Sequence, residues 1–520
     1  MTMAKRDEGR SKVSRRSFLG GTAVGVAAGA LGGASTVSGQ GAGATPELKT
    51  DVVVVGSGIG GLTAAVRAQR AGAHVVVLEK AYEPGGTTAH SEGGIWSAER
   101  FEDIRNDAPG GDPVVQKAVF DALPDAFKFY DDLGAPIGGT AARSRSIPPV
   151  AWVNFMVDQF ERAKGTLLVE TPMLRLLTNR QCEVVGVLAE SAGGPTRIFA
   201  RAVVVATGGW AGNAQMVSQH ITRYFGSLHQ RNTSFAGRKP LLTGDGLFAA
   251  AQLGAATSEA SFDGFYGHMM PARPTKPMQN PLTNFSAYHG PWSIAVNLYG
   301  RRFADETRGK ITGRQLGRGA GEQLINQETA RQPEATAAYI WDEPVNKARA
   351  CADCALGDID KFQAFHDVGA PVAKADTLQE LADQMERWGR GIPASEVMRQ
   401  LAEYNLAAQN GKAWMLPIPK GNTAQASPII QPPFYAVLGQ AGITATHGGL
   451  RVNAQGQVLS RTGRPIRGLY AAGVDIGGYN DYVYLGNLCI GASFGYITGP
   501  LAAKQPEPKG GWDIGPFTTG

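Results

Sequence analysis

The first chemistry that the sequence offers is phosphate binding at a glycine-rich turn. The run DVVVVGSGIGGL, at positions 51–62, contains glycines with the spacing G-x-G-x-x-G. The first glycine permits a tight turn, the second lets a pyrophosphate approach the backbone, and the third lets a helix pack closely on a strand. Amides at the start of that helix bind the phosphates. The expected phosphate-binding residues are Gly56, Ser57, Gly58, Gly60 and Gly61.

Such a turn needs a strand before it and a helix after it. Val52–Val55 are four consecutive β-branched residues, which is typical of a parallel strand buried on both faces. Leu62–Ala71 has a helical pattern, and His74–Leu78 reads as a second strand that ends at Glu79. Glu79 stands eighteen residues after the last glycine of the turn, where a carboxylate accepts hydrogen bonds from the two hydroxyls of a ribose. The sequence therefore predicts a dinucleotide-binding unit.

Three further glycine-rich segments favour FAD over NAD. Residues 84–96 read PGGTTAHSEGGIW, where an NAD-binding domain would enter its second helix, whereas a long flavin needs bare backbone beneath it. Two later apolar strands, 202–206 and 468–472, each run into a glycine turn, and the second is followed by an acid placed for the ribityl chain. The residues expected to bind FAD here are Lys80, Gly86, Thr87, Thr88, Ser91, Gly93, Gly94, Thr207, Gly208, Gly473 and Asp475.

Composition bounds the remaining possibilities. A chain of 520 residues is long enough for two or three packed units, and 43% hydrophobic with 18% charged residues excludes intrinsic disorder. The 69 glycines have no G-X-Y period, so the chain is not collagen-like, and four cysteines are too few for a disulfide scaffold. Cys351 and Cys354 form a lone CxxC, for which a local disulfide or two thiols are the alternatives and zinc is not expected.

Charge and hydropathy concentrate at the amino terminus. Of the net charge of +5, residues 1–44 contribute +4, so the rest of the chain is nearly neutral and nucleic acid is not an expected partner. Ser14–Leu19 reads SRRSFL and precedes a weakly apolar Gly/Ala stretch, which predicts a Tat-type signal peptide over 1–44. No later segment reaches about eighteen apolar residues. We therefore expect export by the Tat translocase to the periplasm or beyond, without a stable membrane span.

The glycine-rich segments together resemble a large flavoprotein family that includes soluble fumarate reductases, succinate dehydrogenase flavoprotein subunits and 3-ketosteroid dehydrogenases. The segment GGTTAHSEGGIW is most similar to the flavin loop of the ketosteroid dehydrogenases. Further resemblances are TGDG at 243–246, NLYGRRFADE at 297–306, FYA at 434–436, THGGL at 446–450 and LGNL at 485–488. By this resemblance Asp245, Asn487 and Leu488 join the expected FAD-binding residues.

The resemblance implies an α/β fold with a Rossmann-like FAD-binding domain, built on a doubly wound parallel sheet and split in sequence. The two parts of that domain are expected at 48–255 and 433–506, with an inserted α+β capping or substrate domain at 256–432 and a carboxy-terminal tail at 507–520. Succinate dehydrogenase subunits attach flavin through a histidine six residues before their GGI. Thr87 stands at that position and His90 comes three residues later, so FAD is expected to be noncovalent.

The resemblance also exposes a departure from fumarate chemistry. Fumarate reductases clamp a dicarboxylate with histidine and arginines, and arginine is the natural bidentate ligand of a carboxylate. The positions of the histidine and two arginines fall on Thr444 or Ala445, on Tyr484 and on Asn346. Fumarate and succinate are therefore not the expected substrates, although Arg273 of the inserted segment could substitute for the clamp.

Three residues are candidates for catalysis. Ketosteroid dehydrogenases place a tyrosine that helps to polarise a ketone at a point similar to Tyr484, and Tyr482 is the second candidate for that role. The alternative for either tyrosine is packing against the flavin ring or at the domain interface. His447 precedes a glycine turn and is either an acid/base or a hydrogen-bonded histidine near the interface. Candidates for lining the substrate pocket are Tyr266, His268, Tyr288 and His289, and for a proton path Asp305, Glu306 and Arg308.

The expected reaction is CH–CH dehydrogenation by hydride transfer to flavin N5. The bond lies beside the carbonyl group of a largely apolar, cyclic or steroid-like ketone, because a held carbonyl makes the neighbouring proton acidic. The first alternative is a periplasmic reductase of an activated C=C bond, such as a 2-enoate or acrylate, with a cytochrome or quinone as electron partner. The second is a flavin-bearing electron-transfer protein.

Overall fold

The computed structural model describes residues 45–224, 235–236, 239–258, 262–276, 285, 289–307, 320–350, 359–389 and 391–515. The predicted signal peptide at 1–44 lies outside these residues, and so do Tyr288, Arg308, Cys351 and Cys354.

The first half of the chain alternates strands and helices. Its elements are β1 (Glu47–Val55), α1 (Ile59–Arg70), β2 (Val75–Leu78), α2 (Gly86–Ala89), β3 (Gly94–Trp96), α3 (Phe101–Asp107), α4 (Pro113–Leu133), β4 (Ser144–Ser146), α5 (Pro149–Arg162), β5 (Thr166–Leu168), β6 (Met173–Thr178), β7 (Val184–Ser191), β8 (Gly194–Val205), α6 (Ala214–His220), β9 (Phe235–Ala236), β10 (Lys239–Pro240) and α7 (Asp245–Gln252).

The second half contains shorter strands and ends in a long helix. Its elements are β11 (Phe265–Tyr266), β12 (Met270–Pro271), β13 (Ile294–Val296), α8 (Ala320–Ala330), β14 (Thr336–Asp342), α9 (Glu343–Val345), α10 (Lys361–Asp367), β15 (Val372–Ala375), α11 (Leu378–Glu386), α12 (Ala394–Gln409), β16 (Phe434–Gln440), β17 (Ala445–Thr446), β18 (Gln457–Leu459), β19 (Pro465–Ala471) and α13 (Leu488–Ala503).

The largest sheet is built around parallel strands from both ends of the chain. Its order is β18-β19-β8-β1-β2-β5, with β7 beside β8 and β6 beside β7. The pairs β19–β8, β8–β1, β1–β2 and β2–β5 are parallel, and the others are antiparallel. Val52–Val55 are buried, as the β-branched run predicts. The predicted α/β class with a parallel sheet is confirmed.

A second sheet organises the inserted segment. Five strands pair antiparallel, in the order β12-β16-β14-β13 with β15 also on β16. Alternate residues of β14 enter two separate apolar cores, Ala338 and Ile340 on one face and Tyr339 and Trp341 on the other. The sequence predicts that the chain re-enters the FAD-binding domain at residue 433. In the structure β16 still belongs to the five-stranded sheet, and the chain rejoins the large sheet only at β18 and β19.

Helices α1 and α13 pack unusually closely through glycines of α13. A Cβ added at Gly491 would lie 3.1 Å from the amide nitrogen of Gly60, and one at Gly495 would lie 2.6 Å from the Gly60 carbonyl oxygen. A Cβ at Gly499 would lie 2.6 Å from the carbonyl oxygen of Ala64. These glycines stand four residues apart, so they form one face of the helix. The contact brings the amino-terminal ends of both helices to one side of the large sheet.

Two smaller observations complete the fold. Cys489 is buried, as expected, but Cys182, which the sequence also suggested as a core residue, is exposed in a turn with φ +61°. Among the residues that the structure describes, no helix has the length and apolar character that crossing a bilayer requires.

We predict that Gly495→Ala destabilises the protein through this helix contact. The new methyl group meets the backbone of α1, which cannot turn aside as a flexible side chain could, so α13 must shift. The expected loss is about 1–3 kcal/mol of unfolding free energy, measured by denaturant titration of the holoprotein. Gly389→Ala is the matched control, because a Cβ there has no neighbour within 4 Å. Equal stability of the two variants would contradict the prediction.

Candidate active site

Four parallel strands end at one cavity of about 420 Å³. Residues at or directly after the carboxyl ends of β1, β2, β8 and β19 line it, where open α/β sheets bind their ligands. The predicted FAD-binding residues that line this cavity are Gly56, Ser57, Gly58, Gly60, Glu79, Lys80, Gly86, Thr87, Thr88, Ser91, Gly93, Gly94, Thr207, Gly208, Asp245, Gly473, Asn487 and Leu488.

The glycine turn is held against the neighbouring strand end. Gly56 has φ +106°, and a Cβ there would lie 2.1 Å from the carbonyl oxygen of Ala206. The amide of Ile59, at the start of α1, donates to Oγ1 of Thr88 at 3.0 Å. Gly61 does not line the cavity; a Cβ there would lie 1.9 Å from the Gly56 carbonyl oxygen. Gly61 therefore has the packing role of the third glycine.

Two acidic residues organise the end of the cavity beside β2. Glu79 is 7% exposed, and its carboxylate accepts from the amide and hydroxyl of Ser57 and from the amide of Ala81. Burial raises the pKa of Glu79 above its usual value, against the opposing effect of these hydrogen bonds. Lys80 Nζ donates to Asp245 Oδ2 at 3.0 Å, which ties the end of β2 to the start of α7.

Asp475 lies directly behind the cavity wall. It does not line the cavity, and its neighbour Val474 does. In the short 3₁₀ turn Gly473–Asp475 the carboxylate points to the end of β8, where it accepts from the amide of Thr207 and from that of Gly209 at 3.1 Å. Burial raises the pKa of Asp475 to about 6. The carboxylate thus joins the ends of β19 and β8 in this structure, and its contact with the ribityl chain stays a prediction.

Three buried polar atoms on the cavity wall test whether the site fits FAD. Oγ1 of Thr87, Oγ1 of Thr444 and Nδ2 of Asn487 are buried and have no hydrogen-bond partner among the residues that the structure describes. A buried polar group without a partner is costly, so such groups indicate a polar ligand. Together with the glycine-lined phosphate turn, they fit FAD, which carries polar groups on its pyrophosphate, its ribityl chain and the pyrimidine part of its ring.

An aromatic cluster forms another part of the wall. The ring of Tyr484 stacks on Tyr266, with centroids 3.9 Å apart and planes at 13°, and Trp96 meets Tyr484 edge-on at 5.8 Å. The amide of Asn487, at the start of α13, donates to the Tyr484 hydroxyl at 3.1 Å. Tyr266 belongs to β11, which pairs with Ala445 of β17. The two tyrosines therefore come from segments far apart in sequence and meet at one part of the wall.

Two histidines lie behind this cluster. His447 is buried outside the cavity wall, and its ring is nearly parallel to that of Tyr484 at 6.4 Å. Its Nδ1 is 2.6 Å from the carbonyl oxygen of Asp481; because that oxygen can only accept, Nδ1 carries the proton. Burial lowers the pKa of His447 to about 4, so the ring is neutral at pH 7. The second histidine, His268, is buried with Nε2 2.8 Å from the Tyr266 hydroxyl.

Tyr482, the second catalytic candidate, lies outside the cavity. Its side chain is on the surface at 36% exposure, where its hydroxyl hydrogen-bonds with Asp263 and Arg331. Of the two tyrosines that sequence reasoning proposed for polarising a ketone, only Tyr484 lines the cavity.

The residues considered for a carboxylate clamp are also dispersed. Arg273 pairs with Glu334 at 2.7 Å, and Asn346 accepts a hydrogen bond from the indole of Trp341. Neither residue lines the cavity, and the described residues that do line it include no arginine.

The remaining candidates of the inserted segment have other partners. Glu306 is fully buried and pairs with Arg302 at 2.6 Å, with Lys420 Nζ 4.0 Å away. Asp305 accepts from the amide and hydroxyl of Thr307. His289 lies in an apolar core with its ring 4.4 Å from that of Trp341. None of these candidates lines the cavity.

Some lining residues were not among those expected to bind the cofactor. Trp96, Thr171–Met173 and Leu241–Leu242 contribute to the wall, and so do Ala206 and Val474. The only signal for them is position, since they directly follow strands or adjoin a recognised motif. Their apolar side chains cannot be distinguished in sequence from core residues.

Comparison with known proteins identifies the site. The family described as FAD binding domain matches residues 51–123 and 134–488. A probable fumarate reductase of Shewanella frigidimarina is 27% identical over 499 residues, covering 90% of this chain and 77% of that protein. The 4-oxocyclohexanecarboxylate 2-dehydrogenase of Sinomonas cyclohexanicum is 25% identical and covers 89% of this chain and 96% of its own length.

The fold of this chain is also similar to that of a solved protein structure. The crystal structure of 3-ketosteroid Δ1-dehydrogenase from Sterolibacterium denitrificans superposes with a TM-score of 0.67 at 20% identity, covering 88% of this chain and 100% of that one. The prediction of FAD as cofactor is confirmed. The chain therefore belongs to the FAD binding domain family and is an FAD-dependent oxidoreductase that acts on CH–CH bonds.

Proposed function

We propose that this enzyme dehydrogenates the C–C bond beside the carbonyl group of a largely apolar, cyclic ketone, of which a steroid-like ketone is one example. The observation that carries the proposal is the stacked pair of Tyr484 and Tyr266 on a wall whose described residues include no arginine. The relative from Sinomonas, named for a cyclic ketone that also carries one carboxylate, supports a cyclic ketone as substrate.

The chain offers a distinct group for each part of the cofactor. Bound FAD supplies the acceptor or donor of a hydride. Amides of the turn that contains Gly58 and Gly60 would hold the pyrophosphate at the start of α1. Glu79 would hold a ribose, while Thr87 and Asn487 would bind other polar atoms with the groups that lack partners in the protein. These assignments stand on the cavity lining and on the donors that face it.

Tyr484 and Tyr266 are assigned different tasks. A tyrosine hydroxyl can accept one hydrogen bond and donate another. Tyr484 accepts from the amide of Asn487 and would donate to the substrate carbonyl, which makes the adjacent C–H more acidic. Tyr266 would accept the proton that leaves this carbon and pass its own phenolic proton to Nε2 of His268, 2.8 Å away.

A second candidate function is the reduction of an activated C=C bond, such as a 2-enoate, with a cytochrome or quinone as electron partner. The relative from Shewanella, named a probable fumarate reductase, favours it. Export by the Tat translocase to the periplasm is part of this proposal and suits such a partner. A function limited to electron transfer has less support, because relatives that match most of this chain are named for reactions on substrates.

A half-reaction experiment separates the two candidates. Oxidised holoprotein is mixed anaerobically with cyclic ketones and steroids, and the flavin absorbance near 450 nm is followed; we expect bleaching. Photoreduced protein is mixed in parallel with acrylate and fumarate. If ketones and steroids leave the absorbance unchanged while acrylate reoxidises the flavin, the first proposal is wrong and the second is correct.

Tyr484→Phe is expected to lower the rate of flavin reduction by about 10²-fold, the typical loss when one oxyanion-stabilising donor is removed. FAD content should not change, because the phenyl ring preserves the stacking. The measurement is stopped-flow reduction by the best ketone of the panel. Tyr299→Phe is the control, since Tyr299 is 62% exposed and does not line the cavity. Equal rates for the two variants would remove Tyr484 from the mechanism.

FAD is proposed to be noncovalent, because Thr87 occupies the position at which a histidine would be attached. Acid denaturation followed by ultrafiltration should therefore release all the flavin into the filtrate, where its absorbance equals that of the starting holoprotein. Flavin that stays with the precipitated chain would contradict this proposal and direct peptide mapping to His90, which also lines the cavity.

His447 is proposed to act as a neutral residue, and pH tests this. The unfolded chain binds a proton at this histidine near pH 6.5, but the folded protein only near pH 4, so stability is lost as pH falls between these values. The expected loss is up to about 3 kcal/mol. It should be absent in His447→Gln and present in the control His366→Gln, an exposed histidine of α10, as measured by denaturant titration at pH 7 and pH 4.5. The same pH dependence in both variants would show that His447 titrates normally.

A further inference from the structure

The side chain of Tyr482 joins three segments that are far apart in sequence. Its hydroxyl donates to Asp263 and accepts from Arg331, and its carbonyl oxygen accepts from Nε2 of Gln327 at 2.7 Å. Gln327 lies on α8 and Arg331 directly follows that helix. We call the set Tyr482, Asp263, Gln327 and Arg331 the tyrosine clasp.

The clasp joins the segments that carry the two cavity tyrosines. Tyr482 stands two residues before Tyr484, and Asp263 stands three residues before Tyr266. The hydroxyl of Tyr482 therefore bridges, through a single atom, the backbone segments of the stacked pair. A phenol that both donates and accepts fixes two partners at once.

Helix α8 is itself anchored to the segment between β16 and β17, and β17 pairs with the strand of Tyr266. The side chain of Asn326 donates to the Gly442 carbonyl oxygen at 2.9 Å and accepts from the Gly442 amide at 3.2 Å. The amide of Thr444 donates in turn to the carbonyl oxygen of Tyr266 at 2.8 Å. Gln327 and Arg331 thus hold Tyr482 against a rigid element that is also connected to Tyr266.

The charges within the clasp balance locally. Arg331 pairs with Glu328 at 2.9 Å and lies 3.5 Å from Asp263, and its guanidinium is 5.0 Å from the centre of the Tyr482 ring. Exposed ion pairs contribute little individually and are screened by salt. The convergence of a carboxylate and a guanidinium on one hydroxyl gives the arrangement its geometry.

We propose that Tyr482 is a positioning residue that keeps Tyr484 stacked on Tyr266 and so sets the shape of the aromatic wall. Its effect on turnover rests on the proposed function, whereas its effect on the two segments does not depend on any substrate. Without the hydroxyl, the segments of Tyr484 and Tyr266 lose this direct side-chain bridge, while the hydrogen bonds of His447 to Asp481 and Gly264 and of Gln327 to the Tyr482 carbonyl oxygen remain.

The test compares Tyr482→Phe with Tyr299→Phe in holoprotein. Amide hydrogen exchange without substrate should accelerate in peptides covering 479–487 and 262–266 by about fivefold, the effect of losing one ordinary hydrogen bond. With a ketone substrate, kcat should fall by a similar factor while the Kd of FAD stays within about twofold. Raising the salt concentration should reduce the difference between the wild type and Tyr482→Phe, because salt screens the partners of Arg331.

Arg331→Gln breaks the clasp from its other side. If both groups act through one arrangement, Tyr482→Phe/Arg331→Gln should exchange no faster than the more affected single variant. Exchange and kcat equal to those of Tyr299→Phe would overturn the inference and leave the proposed function intact. Faster exchange in a protein that turns over no ketone would support the clasp and refute the proposed function.

Discussion

The close contact of α1 and α13 is the constraint on which the active site depends. Gly491 and Gly495 let the last helix of the FAD-binding domain approach the first, at a distance where a methyl group would overlap the main chain of Gly60. Because both helices begin at the cavity and run side by side in the same direction, their amino-terminal amides face one ligand from the same side. The partial positive charge at each helix start then acts on the same anionic cofactor. The two halves of a sequence-split domain are thereby joined where the chemistry takes place.

The inserted segment completes the site through strand pairing and side-chain hydrogen bonds, and not through close helix packing. Its five-stranded sheet has its own cores, and the short strand β11, which lies outside that sheet, carries Tyr266 to the cavity. That strand pairs with β17, so the position of Tyr266 relative to Tyr484 is set by backbone hydrogen bonds and by the polar bridge at Tyr482. The substrate side is therefore adjustable in a way that the cofactor side, built from glycines and buried strand ends, is not.

The sequence predicts the cofactor side well and the substrate side poorly, for a physical reason. A phosphate turn needs glycines at fixed spacing after a strand, so Gly56, Gly58 and Glu79 can be read locally. The 3₁₀ turn at Gly473–Asp475 has no such signature. Nothing in the local sequence shows that Val474, and not its neighbour Asp475, lines the cavity wall. The different positions of Tyr482 and Tyr484, one outside the cavity and one on its wall, have the same cause. In an irregular loop, a spacing of two residues does not determine where either side chain points.

The strands that a segment pairs with, and the partners of a buried side chain, could not be predicted from the residues of that segment alone. The motif FYA resembled the FAD-binding domain, yet Phe434–Gln440 completes the sheet of the inserted segment, because a strand joins whichever neighbours its register fits. The sequence left two roles for His447, an acid/base or a hydrogen-bonded histidine near the interface. Its tautomer depends on the carbonyl of Asp481, which lies 34 residues away in sequence. Such facts depend on contacts between segments and not on residue type.

The charge of the cavity bears on the choice between an uncharged ketone and a dicarboxylate. Among the described residues of the wall, Glu79, Glu92 and Asp245 carry carboxylates, and Lys80 is the one lysine. The pyrophosphate of FAD adds further negative charge. A dicarboxylate entering this site would have to leave water without the bidentate arginines that normally compensate it, and removing a charge from water without a partner is costly. A neutral carbonyl compound requires only a hydrogen bond to its oxygen, and the hydroxyl of Tyr484, supported by the amide of Asn487, supplies a group of that kind.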